Sequence, residues 1–542
     1  MTRRWWSGPA LLACAVLLAS CGGGSGGGGG GAVLPVTSGG EGSSGTAAPA
    51  TATLSGRITF DSVPSLNGAL NYAATVAKPV RGAPLDVVDA TGTVKASTVT
   101  DADGRYSVVI PAATSLAVRV MARLQHSGAD GGWDVAVRDN TQSGGLYGMQ
   151  SGYFAATGSN QAKDLHAPSG WSGSSYGSER VAAPFALLDA IYTAQAKILG
   201  VAPGASFPIL NVYWSPSNRP ASGSVTLGQI GTSHFSDYTA SGGTRAIFVL
   251  GSENVDTDEY DSAVVVHEWG HYYQSAFSRD DSPGGTHSFG DLLDRRLAFS
   301  EGWGNAWSGI ALDRSTYSDS AGQRQAQGFA FALDAGAASS PGWFNEMSVQ
   351  SILWKLNAAV GLAPIHQAMT QGLKSTAAVT SVHAFATAFY AVATPGQTAS
   401  LNGLLAAQGV VPPMDAFGPN ETNDGGLGAF ALPLYTAVSL ATPQQACVTN
   451  RADPGADGNK LGSYAFLVLP VAQARSYTIS IQGPAASDPD FVVYQRGKVG
   501  EAVNANSGTE SGAVGLAAGQ AVLAINDYNN ASSNTCFTVT IN

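Results

Sequence analysis

"VVVHEWGHYYQ" (264–274) decides how this chain is read. It sets His267 and His271 four positions apart, with Glu268 between them and an apolar run over 263–266 ahead. Residues four apart on an α-helix share one face, about one turn from each other, so both imidazoles can reach a single ion. Glu268 is rotated from His267 by about 100°, which places its carboxylate beside an activated water rather than on the ion. There it can act as a general base. Asp256, with Glu259 three positions on, reads as a capping box and starts the helix near Thr257. A buried helix that carries two satisfied histidines is the plain alternative, so a third ligand is the test.

A catalytic zinc ion takes three protein ligands and keeps its fourth position for water, whose pKa falls to about 7. The pattern HExxHxxGxxH is excluded, because Gln274 and Phe277 stand at its last two positions. Glu301, in "LAFSEGWGNAW", comes 30 positions after His271 in a segment of helical character. His287, Asp291 and Asp294 lie between them and compete for the role.

"HEWGH" followed by "SEGWGNAW" resembles the fungalysin-type and, more distantly, the thermolysin-type gluzincin metallopeptidases. The resemblance spans about residues 180–410, with its specific motifs in two short stretches. It implies an α+β zincin domain with a helical lower lobe, Zn2+ on His267, His271 and Glu301, and Glu268 as general base. It also implies endopeptidase activity on protein or peptide substrates. Four residues after the ligand glutamate those families place an aspartate, where this chain has Asn305. The Asn305 amide oxygen can still accept an imidazole N–H, without a charge. The families' oxyanion-stabilising His or Tyr has no matched position, although His366 and His383 are available. A surface binding or adhesion protein on a degenerate protease scaffold, or a zinc hydrolase of a non-peptide bond, are the other readings.

At 542 residues, 44% hydrophobic and 12% charged, the chain is long enough for several domains. A net charge of −11 argues against nucleic acid or an anionic membrane surface as partner. At the N-terminus, Arg3 and Arg4 precede an apolar run over 9–19, shorter than the roughly 20 residues a membrane span needs. The run ends in "LLASC" and "GGGSGGGGGG", which resembles a bacterial lipoprotein signal. That resemblance implies cleavage after residue 20, a lipid on Cys21, and a place in the cell envelope with the membrane touched only through the lipid. Residues 21–52 read as a flexible tether reaching roughly 30 Å.

Residues 53–125 alternate in short runs broken by turn residues, the pattern of a β-sandwich. The hairpin at 100–108 resembles the transthyretin-like regulatory domains attached to many carboxypeptidases. Asp101 and Asp103 there can form a turn or hold Ca2+. The metallopeptidase domain is expected over 126–425, with a helix at 184–199 and an unassigned stretch at 126–180. "TRAIFVLGS" (244–252) can be an edge strand that pairs with substrate, or an internal strand. Residues 430–542 read as a second β-sandwich that resembles pre-peptidase C-terminal domains, with "DPGADGN" (453–459) as a turn or a Ca2+ loop. Cys447 and Cys536 bracket this block, and an even pair in an exported chain predicts a disulfide.

Overall fold

The computed structural model describes residues 51–542 except 113–114, 129–130, 157–158, 454–457 and 530–533. The expected signal, Cys21 and nearly all of the tether lie outside the described residues. The strand Thr51–Ser62 already includes the last two tether positions, because Ala52 and Leu54 are buried and begin the alternation. Among the described residues the chain is β-rich, with several sandwich-like sheets and seven α-helices. No helix there is long and apolar enough to cross a membrane.

Two five-stranded sheets form the first sandwich. Its Thr51–Ser62 strand pairs antiparallel with Arg105–Pro111 and parallel with Leu165–Ala167, so the sheet draws on residues well beyond 125. The boundary expected at 125–126 does not fall there. Arg123–Gly128 pairs with Gly131–Asp139, which itself pairs parallel with Leu210–Trp214 in the next sheet. An exposed sheet edge invites pairing, and here the chain itself fills it. Asp101 accepts hydrogen bonds from the amides of Asp103 and Arg105, and Asp103 pairs with Arg105. That pair of aspartates makes a turn.

The central sheet continues from Leu210–Trp214 to Arg245–Val249 and ends at His234–Asp237, which runs antiparallel to its neighbour. The 244–252 stretch is therefore an internal strand, and His234–Asp237 is the edge. Its continuous apolar run fits burial on both faces. Seven helices pack around this sheet and each other: α1 (Ala183–Leu199), α2 (Ser262–Phe277), α3 (Arg295–Leu312), α4 (Glu346–Val360), α5 (Leu362–Gln367), α6 (Val382–Tyr390) and α7 (Pro395–Ala407). Helix α1 begins with Pro184 in its first turn and buries Phe185, Leu188, Ile191 and Ile198.

The start of α2 departs from the expected capping box. Asp261 is its N-cap, and Asp256 lies in the short strand Asp256–Thr257. Glu259 is drawn away by a buried ion pair, 3.0 Å from Arg180, and accepts from the Trp214 indole.

The C-terminal block forms a five-stranded and a four-stranded sheet around an apolar core that includes Phe491, Ile525 and Phe537. The disulfide Cys447–Cys536 joins two directly paired residues on neighbouring strands. A second face of this sandwich closes on α3. Arg295 lies over the rings of Tyr435 and Phe466, and Arg296 over Tyr464, with its guanidinium donating to the Tyr494 hydroxyl at 2.9 Å. Such cation–aromatic packing is strongest where water is excluded, and Arg296 is 1% exposed.

Candidate metal centre

Helices α2 and α3 cross where Gly270 meets Gly304. A Cβ added at Gly270 would lie 3.3 Å from the Gly304 Cα. Their missing side chains let the two backbones approach, and aromatic rings fill the space around the crossing. Trp303, Trp307, Tyr273 and Trp269 stack with ring centroids 5.3–6.2 Å apart, and the Trp303 indole donates to the Gly270 carbonyl. This approach brings α3's Glu301 against the histidine face of α2.

His267, His271 and Glu301 converge there. The two Nε2 atoms are 3.0 Å apart, and Glu301 Oε2 lies 3.3 Å from His267 Nε2 and 3.7 Å from His271 Nε2. The far side of each ring is tied down. His267 Nδ1 is 2.9 Å from the Asn305 amide oxygen, so its hydrogen sits on Nδ1. His271 Nδ1 is 3.2 Å from the Ser300 hydroxyl, whose own hydrogen goes to Asp280 Oδ2 at 2.7 Å. His271 therefore also donates from Nδ1. Both Nε2 lone pairs then point at each other and at a carboxylate oxygen. Three largely buried electron-pair donors with nothing to accept from call for a proton or a cation between them.

The electrostatics say the same in terms of protons. Burial alone would pull the His271 pKa down, but the Glu301 carboxylate outweighs it and pushes it up to about 10. Burial would raise Glu301, and the facing histidines instead hold it well below the ordinary carboxylate range. Without an ion the cluster keeps a proton in its place. Two imidazoles and one carboxylate, each with a hydrogen-bonded support behind it, make a donor set suited to Zn2+.

Glu268 is 8% exposed and lies outside the three-donor cluster, yet its charge acts on His271 and on Tyr317. It therefore neighbours the cluster without being one of its three donors. The competing ligands go elsewhere. Asp294 caps α3 by accepting from the Arg296 amide, and Asp291 accepts from the Ser288 amide and faces Lys460. His287 stays close, with Nε2 3.5 Å from Glu301 and 3.4 Å from Glu346. His366 hydrogen-bonds Tyr273, and His383 pairs with buried Glu421, so both are engaged away from the cluster. Tyr317 is the aromatic residue that does come near, its ring 6.2 Å from the His267 ring. Tyr317 and Glu346 carry no sequence signal of their own, because turns and helices far from the motif deliver them.

A partly open cavity of about 170 Å³, lined by Asp139, Tyr147, Arg180 and Trp214 among others, contains none of these residues. It therefore has no part in the cluster's chemistry.

No protein-family model matches the sequence, and no curated protein matches it. Among solved structures, the pre-peptidase C-terminal domain of a collagenase from Bacillus anthracis is 12% identical over 20% of this chain and 94% of its own, with a TM-score of 0.16. PliG of Aeromonas hydrophila, a periplasmic inhibitor of g-type lysozyme, is 16% identical over 20% of this chain and 96% of its own, with a TM-score of 0.14. A 9R-lipoxygenase from Cyanothece is 13% identical over 30% of this chain and 25% of its own, also with a TM-score of 0.14. Likenesses at these scores decide neither fold nor activity.

Proposed function

We propose that this chain is a zinc-dependent peptidase of gluzincin type, with His267, His271 and Glu301 as ligands and Glu268 as general base. One observation carries the reading: two imidazole Nε2 atoms and a carboxylate oxygen meet within 3.7 Å, with both Nδ1 atoms committed to acceptors. A bound Zn2+ would supply Lewis acidity and make a water acidic near neutral pH. Asn305 fixes the His267 tautomer, and Ser300 with Asp280 fixes that of His271. Glu268 takes a proton from the attacking water and passes it to the leaving amine. His287, 3.5 Å from Glu301, and Tyr317, its ring 6.2 Å from that of His267, are the neighbouring groups that could donate hydrogen bonds to a developing oxyanion. The antiparallel strand His234–Asp237 ends the central sheet, and an extended peptide could add a strand on that side. The lipoprotein-like N-terminus supports export and anchoring through Cys21, which would hold this activity in the cell envelope.

Metal content and casein hydrolysis, with and without a chelator, test the reading on the full chain. Glu268→Gln should keep one zinc per chain and lose hydrolysis by about 10²–10⁴-fold. His271→Ala should lose both. Full activity in Glu268→Gln would overturn the mechanism. Zinc without any hydrolysis would favour a binding protein on a protease scaffold.

A further inference from the structure

Glu301 faces a second set of donors. His287 Nε2 lies 3.5 Å from Glu301 Oε2 and 3.4 Å from Glu346 Oε2, and the ligand atoms of the three all fall within 4.8 Å of one another. Glu346 opens α4, which packs hard on α3: a Cβ added at Gly302 would lie 2.5 Å from the Val349 Cβ and 3.0 Å from the Glu346 carbonyl oxygen. That contact sets Glu346 beside Glu301. The Asn345 side chain already caps α4 by accepting from the Met347 amide, so the Glu346 carboxylate is not spent there. Glu346 is 2% exposed, and its Oε1 is buried without a hydrogen-bond partner. His287 is presented by a braced loop, in which Asn459 donates to the carbonyls of Gly284 and Thr286 and Lys460 donates to that of Thr286 at 2.8 Å.

The spacing separates a metal from a proton. His287 Nδ1 is 3.3 Å from the Gly285 carbonyl, which can only accept, so Nδ1 holds a hydrogen and Nε2 turns to the two carboxylates. A proton on Nε2 as well would draw a carboxylate to about 2.7–2.9 Å, the length of a charge-assisted hydrogen bond. Both oxygens instead stand off at 3.4 and 3.5 Å. Ligands about 2.0–2.1 Å from a tetrahedral ion are roughly 3.3–3.4 Å from each other. His267 Nε2 keeps that same separation, 3.3 Å, from Glu301 Oε2. One imidazole and two carboxylates are a donor set that suits Zn2+.

We propose that His287, Glu346 and Glu301 bind a second zinc ion, with the Glu301 carboxylate bridging the two metals. The inference rests on the zinc reading above, because Glu301 is common to both sites. The second site has one imidazole in place of two, reaches solvent at His287, whose side chain is 26% exposed, and takes its ion beside an existing double positive charge. It therefore binds more weakly: the chain holds one zinc tightly and takes up another when zinc is added. Paired metals of this kind lie about 3.5–4 Å apart and clamp the attacking and leaving groups between them.

The test is calorimetric zinc titration of the chelator-treated full chain, with EPR of the chain loaded with one and then two equivalents of Co2+. The wild type should bind zinc in two steps, and the second Co2+ should reduce the signal per metal by coupling to the first. His287→Ala and Glu346→Gln should each keep the tight step and lose the second. Should Glu346→Gln fail to fold, His287→Ala, at a partly exposed loop position, decides alone. A wild type that stops at one zinc overturns the second site and leaves the proposed peptidase centre standing. A second equivalent that persists in His287→Ala does the same. No zinc at all overturns both.

Discussion

Gly304→Ala probes the candidate centre through a single methyl group. Gly304 sits on α3 beneath the His267 ring, and an added Cβ would lie 2.8 Å from Cε1 and 2.9 Å from both ring nitrogens. Two effects oppose each other. Alanine favours a helix interior over glycine by about 0.5–1 kcal/mol. Overpacking a filled site costs about 1–3 kcal/mol. The metal-free chain should therefore change between nearly nothing and a loss of about 2.5 kcal/mol. The ring cannot yield without leaving Asn305, 2.9 Å away, so zinc affinity should fall about 10–100-fold, the range for disturbing a ligand's support. Gly403→Ala is the internal control, since Gly403 lies in α7 with nothing within 4 Å of a new Cβ. It should gain about 0.5–1 kcal/mol and leave zinc alone. Urea unfolding of the chelator-treated chains and competition against a chromogenic zinc chelator read both quantities. If Gly304→Ala is stabilised like the control and binds zinc like the wild type, His267 is not held as described.

Three further outcomes are expected. Asn305→Ala should weaken zinc about 10–100-fold, because His267 loses the acceptor that fixes its tautomer, whereas Asn305→Asp should bind zinc at least as tightly as the wild type; a metal titration reads both. Removing the disulfide with Cys447→Ala and Cys536→Ala opens a loop of sequence separation 89, and the chain-entropy estimate puts the loss at about 4–5 kcal/mol. The C-terminal sandwich has its own apolar core, so scanning calorimetry should show the loss there first. Burial holds the His383 pKa below 6.5, with nearby Arg295 adding to the effect against the Glu421 carboxylate. The folded chain thus resists a proton that the unfolded chain accepts, and stability should fall as the pH drops below about 6.5. His383→Gln should lose less between pH 7 and 5.5 by urea midpoint, and an equal loss would refute the assignment.

The motif in the sequence named a tight geometric set. His267, His271, Glu301 and Asn305 lie on two helices whose internal spacing is fixed at 3.6 residues per turn, so their relation could be read once the helices were recognised. Reading failed where distant segments meet. The capping box at Asp256 and Glu259 was locally reasonable, but Arg180 holds Glu259 and Asp256 lies in a short strand paired with Gly251–Ser252. An apolar run such as Arg245–Val249 looks the same whether it is internal or at an edge, and only the arrival of His234–Asp237 beside it decides. The 125–126 boundary failed for a related reason: strands from beyond it complete the first sandwich.

The two arginines that open α3 have a consequence for how this chain can be cut. Arg295 also donates to the Leu434 carbonyl at 2.7 Å, and Asn459 holds the carbonyls of Gly284 and Thr286, next to His287. A protease that trimmed the tail near residue 440 would take Phe466, Tyr464 and Tyr494 from these arginines and Asn459 from the loop, leaving Arg295 only Tyr435 and Trp343. The last hundred residues thus brace the loop from which His287 reaches Glu301. Whoever seeks a minimal active fragment must either carry them along or redesign Arg295, Arg296 and the 284–287 loop to stand alone.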